Sequence, residues 1–178
     1  MTTKLQRYSQ LLLQWNQVHN LTGAKTPEEV RENITDCLYP LEFIDDFKTA
    51  LDIGSGCGFP AIPLAIAKPQ SVFYLTEPRL KRASFLKMLC IELKLSNVHI
   101  FHSTLQNAKI PQQVDLITSR AVTSTPLLIA MSAKHLESKG AFLFYKGSQL
   151  KLEGEEIAPN ELFASNTQRI YFYRRIQC

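Results

Sequence analysis

The stretch Leu51-Asp52-Ile53-Gly54-Ser55-Gly56-Cys57-Gly58-Phe59-Pro60 constrains this chain more than any other. Thr49 to Ile53 reads as a buried strand, three glycines alternate directly after it, and the apolar run Pro60 to Ala67 reads as a short helix. Glycine permits the positive φ angles of a tight turn, and its missing Cβ lets a ligand touch the backbone. A glycine turn joining a strand to a helix belongs to an open α/β sheet, which binds its ligands at the carboxyl ends of its strands.

The rest of the chain supports such a sheet. Leu5, Tyr8, Leu12, Trp15 and His19 are spaced as one face of an amphipathic first helix. A second helix is expected from Pro27, with Glu28 and Glu29 suited to the positive end of its dipole. Beyond the glycine loop, strands are expected at Ser71 to Thr76, Val98 to His102, Val114 to Ser119 and Ala141 to Lys146, with a terminal strand at Arg169 to Ile176. Helices are expected at Leu80 to Leu95 and Pro126 to Leu136. Strands alternating with helices imply a doubly wound, mostly parallel sheet covered on both faces. At 178 residues one domain is expected, with residues 1–46 as helices packed on an α/β core of residues 47–178.

Composition narrows the function classes. The chain is 45% hydrophobic and 20% charged, too apolar for disorder. Its longest uncharged apolar stretch, Pro60 to Ala67, is far shorter than a membrane span, and no signal-peptide pattern opens the chain. Cys37, Cys57, Cys90 and Cys178 form no CxxC pair, and His99 and His102 fall on a strand with side chains facing opposite ways. No metal site is expected, and a cytoplasmic monomer with free thiols is the simplest expectation. The net charge of +4 is compatible with a nucleic-acid partner but equally with an ordinary enzyme.

The identity of the ligand turns on the loop and on Glu77. Gly56-Cys57-Gly58-Phe59-Pro60-Ala61 formally fits GxGxxA, but Pro60 removes a backbone N–H where a dinucleotide's pyrophosphate would sit. The frame Gly54-x-Gly56-x-Gly58 preceded by Asp52 better suits a cofactor without phosphate, such as S-adenosylmethionine. Glu77, at the tip of the second strand, is placed to accept from both hydroxyls of a ribose. That feature is shared by nicotinamide-binding folds and methyltransferases and does not choose between them.

Several segments together are more specific. Trp15-Asn16 with Asn20-Leu21-Thr22, the loop Asp52 to Ala65, Lys81-Arg82 with Phe85-Leu86, Ser119-Arg120-Ala121 and Tyr145-Lys146-Gly147 occur in this order. They resemble the bacterial small-subunit ribosomal RNA guanine-N7 methyltransferases, the glucose-inhibited division protein B family. The resemblance implies a class I, Rossmann-like fold with an N-terminal helical extension, S-adenosyl-L-methionine as cofactor, and 16S ribosomal RNA as substrate, free or within the 30S subunit or an assembly intermediate. It implies that Gly54 and Phe59 line the cofactor pocket and that Gly56 and Gly58 shape the loop. Glu77 would hold the ribose, where the family usually has Asp, and Leu105 and Gln106 would flank the adenine, where an acid is common in place of Gln106. Arg120 would stand at the junction of cofactor and substrate. Asn33 departs from the family's usual His, and no catalytic weight falls on it.

The chemistry agrees with that implication. Guanine N7 carries a lone pair and no proton, so accepting a methyl group needs positioning rather than a general base. After the fourth strand Ser119-Arg120-Ala121 stands where an exocyclic-amine methyltransferase would carry Asn/Asp-Pro-Pro-aromatic, and no Pro-Cys dipeptide supplies a nucleophile. Arg120 is therefore the one catalytic candidate, in a positioning role. Arg79, Lys81, Arg82 and Lys146 are the candidate contacts to RNA phosphates. A nicotinamide-dependent oxidoreductase on the same fold, or a catalytically silent RNA-binding module, are the alternatives.

Overall fold

The computed structural model describes residues 2–147, 150, 153–165 and 169–176. Cys178, one of the four cysteines, lies outside the described residues. Helix α1 (Thr3–His19) begins at Thr2, whose hydroxyl accepts from Leu5 N, and ends at Asn20 in the left-handed region. Asn16 then fastens the following loop. Its Oδ1 accepts from Thr22 N at 2.9 Å and its Nδ2 donates to Ala24 O at 3.0 Å. Helix α2 (Pro27–Leu38) opens with a reciprocal capping box between Thr26 and Glu29, so its start is fixed by sequence. Val30, Ile34 and Cys37 form its buried face.

The sheet strands are β1 (Thr49–Ile53), β2 (Val72–Thr76), β3 (Val98–Phe101), β4 (Val114–Arg120), β5 (Leu136–Lys146), β6 (Leu162–Ala164) and β7 (Ile170–Arg175). Their order is β3-β2-β1-β4-β5-β7-β6, parallel except for β7, which runs antiparallel to β5 and β6. Helices α3 (Ala61–Ala67) and α4 (Leu80–Glu92) connect β1 to β2 and β2 to β3, and α5 (Thr125–Ser132) connects β4 to β5. Alternating strand residues feed two cores. Ala50, Leu143 and Tyr145 pack with α1 to α4, and Leu51, Ile53, Phe142 and Phe144 pack with α5. The doubly wound, mostly parallel sheet is therefore as expected, and α1 is set against α4 by Trp15 and Phe85, whose ring centroids are 5.4 Å apart.

Two local expectations are corrected, while the β3–β4 connection, for which no helix was expected, holds only turns among the described residues. Helix α5 stops at Ser132 instead of continuing to Leu136, where Ser132 Oγ bonds back to Leu128 O at 2.5 Å and a 3₁₀ turn, Ala133–His135, takes over. Strand β5 starts at Leu136 rather than Ala141, across a register shift opposite Val114 and Leu116. Gly140 makes this possible, because a β-carbon there would lie 2.6 Å from Leu136 Cδ1 and 3.0 Å from Asp115 O.

Candidate functional site

Strand β1 has β2 and then β3 on one side and β4 on the other, so the chain reverses its direction of winding at β1 and β4. Such a switch point leaves a crevice above the strand tips. Here it is a cleft of about 400 Å³. Gly54, Gly56, Phe59, Glu77, Arg79, Arg82 and Arg120 all line it.

The glycine loop forms its floor. Gly54 has φ of 67° and Gly58 φ of 103°, both in the region that favours glycine. A β-carbon on Gly54 would lie 2.7 Å from Val122 Cγ2, so the loop and the β4–α5 turn nearly touch. Gly58 does not line the cleft; its missing side chain makes room for Ile62, whose Cγ1 would be 2.6 Å away. The loop is tied to β2 through Ser55 N, which donates to Thr76 O at 3.0 Å.

Glu77 is buried, yet both carboxylate oxygens are occupied by backbone donors. Oε2 accepts from Gly56 N and Oε1 from Arg79 N, each at 2.8 Å. Each oxygen keeps a further lone pair, so the carboxylate is fixed in place without being used up.

Arg120 ends β4, immediately before Ala121, whose φ of 56° turns the chain sharply. Its guanidinium lies over the Phe59 ring, 5.4 Å from the centroid, and that ring also packs edge-to-face with Tyr8, with centroids 5.5 Å apart. Arg120 Nη2 donates to Asn33 Oδ1, and Nη1 approaches Cys37 Sγ at 3.7 Å. Burial pushes the Cys37 thiol up to about 12, against the lowering influence of Arg120, and also raises Cys57. Both cysteines are therefore protonated at neutral pH and fill space.

Asp52 lies beneath the loop, fully buried. Thr118 Oγ1 donates to its Oδ1 at 2.6 Å, while Oδ2 has no hydrogen-bond partner among the described residues. Burial raises this carboxyl from the usual carboxylate value to about 7, against the lowering hydrogen bonds of Ser55 and Thr118 and with a further push from the charge on Glu77. A carboxyl whose folded value is raised stabilises the fold below the unfolded value near 4, and that stabilisation is lost as pH rises toward 7. Between pH 5 and pH 8 the loss is about 3 kcal/mol. Asp52→Asn, which keeps an acceptor for Thr118, should remove that part of the pH dependence in urea unfolding. An unchanged pH 5 to pH 8 difference in the variant would mean that Asp52 titrates normally.

Besides Gly58, four expected site residues lie away from the cleft lining. Leu105 is buried in the α5-side core, and Gln106 is exposed on the turn after β3; neither lines the cleft. Lys81 lines an adjoining cavity with His19 and Leu80, which shares Arg79 and Arg82 with the cleft. Lys146 is corrected from a surface cation to a buried one. Its Nζ donates to Thr123 O at 2.8 Å and pairs with Glu153 Oε2 at 2.9 Å, so its charge is spent inside the protein. The sequence reading did not single out Val122, which closes on Gly54, or Leu21 and Thr22 at the cleft's lip, although the Asn20-Leu21-Thr22 segment marked that loop.

Comparison with known proteins agrees with this architecture. The family model described as rRNA small subunit methyltransferase G (GidB) matches residues 1–173. Ribosomal RNA small subunit methyltransferase G of Helicobacter pylori (strain HPAG1) is 54% identical over 176 residues, covering 98% of this chain and 97% of the relative. The protein of the same name from Wolinella succinogenes is 48% identical over 156 residues, covering 88% and 80%. Among solved structures, a precorrin-6y C5,15-methyltransferase from Geobacter metallireducens superposes with a TM-score of 0.59 at 13% identity, covering 90% of this chain and 92% of that one. A SAM-dependent methyltransferase from Aquifex aeolicus gives 0.57 at 15% identity, covering 73% and 82%, so the shared feature is the class I methyltransferase fold. With a glycine-floored cleft at the switch point and near-full-length identity above one half, the chain belongs to the rRNA small subunit methyltransferase G family.

Proposed function

We propose that this protein transfers the methyl group of S-adenosylmethionine to N7 of a guanine in 16S ribosomal RNA, within the 30S subunit or a precursor of it. The observation that carries the reading is the pairing, in one cleft, of the glycine floor with the immobilised Glu77 carboxylate and with Arg120 at the tip of β4. Gly54 and Gly56 leave room for a ligand to lie on the backbone, and Glu77 offers its remaining lone pairs to ribose hydroxyls. The cofactor supplies an electrophilic methyl on a sulfonium. The protein's part is to hold the acceptor in line with it and to exclude water, because guanine N7 needs no proton removed.

Arg120 serves that positioning. Its guanidinium is held by neutral acceptors and an aromatic face, so its charge remains available to an RNA phosphate or to guanine O6, leaving N7 free. Arg79, Lys81 and Arg82, beside the same cleft, suit phosphates flanking the target. Among the described residues no helix is long and apolar enough to cross a membrane.

Calorimetric titration tests the cofactor: S-adenosylmethionine should bind at micromolar concentration and NADH should not, whereas binding of NADH alone would replace this reading with the oxidoreductase. Methyl transfer to 30S subunits and to naked 16S RNA, read as 7-methylguanosine in nuclease digests, tests the reaction. In the same assay Arg120→Ala should lower transfer about tenfold or more while the fold is retained. Wild-type turnover by that variant would remove Arg120 from the site.

A further inference from the structure

We infer that Asn33 is a positioning residue for methyl transfer, acting through Arg120. The inference rests on the function proposed above and deepens it at the substrate side of the cleft.

The geometry of α2 makes the case. Asn33 Nδ2 donates to Glu29 O at 2.8 Å, one turn back along the helix. That bond fixes the amide so that Oδ1, the acceptor, faces Arg120 Nη2. The opposite orientation would set an N–H group against the guanidinium and an oxygen against a carbonyl. Asn33 is thus held from behind and holds Arg120 in front. With Phe59 beneath the guanidinium and Cys37 Sγ beside it, Arg120 is fixed on three sides.

The chemical nature of the partner matters as much as its position. Among the described residues no carboxylate pairs with Arg120, and both its hydrogen-bond acceptors are neutral. An aspartate at position 33 would spend the charge; a neutral amide fixes the group and leaves the charge for a ligand.

The pair also stands at a boundary. Arg120 lines the cofactor cleft together with Leu21 and Thr22, while Asn33 lines a second cavity of about 330 Å³ together with Gly23 and Ala24. The continuous segment 21–24 contributes to both linings, and the Asn33–Arg120 bond joins a residue of one to a residue of the other. A base held in the cleft would meet Arg120 in the orientation that Asn33 sets. Loss of Asn33 should therefore weaken transfer much more than cofactor binding.

The test compares wild type, Asn33→Leu and Asn33→His at pH 8, where a neutral imidazole still offers an acceptor nitrogen. Thermal unfolding establishes that each variant is folded. For Asn33→Leu, kcat on 30S subunits should fall about tenfold or more, with S-adenosylmethionine affinity within about threefold of wild type. Asn33→His should keep kcat within about threefold of wild type. Nitrogen-15 NMR of arginine side chains, assigned by the signal lost in Arg120→Lys, gives a readout independent of activity. The two Nη groups of Arg120 should be distinct in wild type and averaged in Asn33→Leu. Wild-type turnover by Asn33→Leu, equal losses in the two folded variants, or unchanged Arg120 signals would each overturn the inference. If wild type methylates no RNA substrate, the proposed reaction falls, and the guanidinium spectra alone decide whether Asn33 fixes Arg120.

Discussion

Replacing Gly54 with valine should lower S-adenosylmethionine affinity about a hundredfold or more, equivalent to about 3 kcal/mol of binding free energy. Two costs combine. A φ of 67° is unfavourable for a β-branched residue, and the new Cβ would press at 2.7 Å on Cγ2 of Val122, which itself lines the cleft. Relief of that clash requires the β4–α5 turn to retreat, which carries Arg120 and Ala121 with it. Neighbouring glycines separate the causes. Gly56→Ala meets nothing nearer than 3.9 Å, so it should weaken binding only through backbone strain. Gly58→Ala would strike Ile62 inside the core and should lower the melting temperature instead. Calorimetry on the three variants, with circular dichroism to establish folding, is the measurement. Unchanged affinity in a folded Gly54→Val protein would move the cofactor to another cavity.

Lys146→Met should destabilise the fold by about 3 kcal/mol, because it strands the Glu153 carboxylate. That carboxylate is 19% exposed, and Thr125 donates to its Oε2 through both N and Oγ1 at 2.6 Å. Burial raises Glu153, but the hydrogen bonds from Thr125 and Lys146 outweigh it and hold the carboxyl below its usual value. The native protein therefore depends on this charge being present and paired. Changing Glu153 to leucine in the Lys146→Met background should restore much of the lost stability, since an apolar pair can replace a buried ionic one with little net change. Urea unfolding of the two single variants and the double variant tests this. If the single and double losses simply add, the two residues do not depend on each other. Because Lys146 also holds Thr123 O, the single variant should loosen the turn that carries Val122 over Gly54.

Lys146 shows where sequence reading reached its limit. A lysine after a run of apolar residues reads as solvated, and only the fold reveals that three acceptors converge on it. Asn33 was hidden for a similar reason: its bond to Arg120 spans 87 positions in the chain, and nothing local marks it. By contrast, the glycine loop announces itself because its cause is local, a left-handed backbone that other residues avoid. Glu77 was legible because parallel strands place their last residues side by side. Strand β6, three residues long, is below the length at which periodicity carries information, and Glu137 to Gly140 carry no strand signal because Glu137, Ser138 and Lys139 are polar. Leu105 and Gln106 follow a strand that ends at Phe101, one residue short of the expected His102, and the following turn, not the strand, sets where they point.

The seat of α2 has a consequence for how the protein is made. Tyr171 OH donates to Asp36 O at 3.0 Å, Arg169 Nε pairs with Asp36 Oδ2 at 3.0 Å, and Tyr145 OH donates to Cys37 O at 2.8 Å. Partners of Asp36 thus lie up to 135 positions further along the chain, one of them on a strand synthesised long after α2. During vectorial synthesis the helix bearing Asn33 emerges well before β7, yet it has no complete berth until β7 has followed it out. The junction between the two cavities is consequently assembled late. A nascent chain exposes a glycine loop long before it possesses a working site.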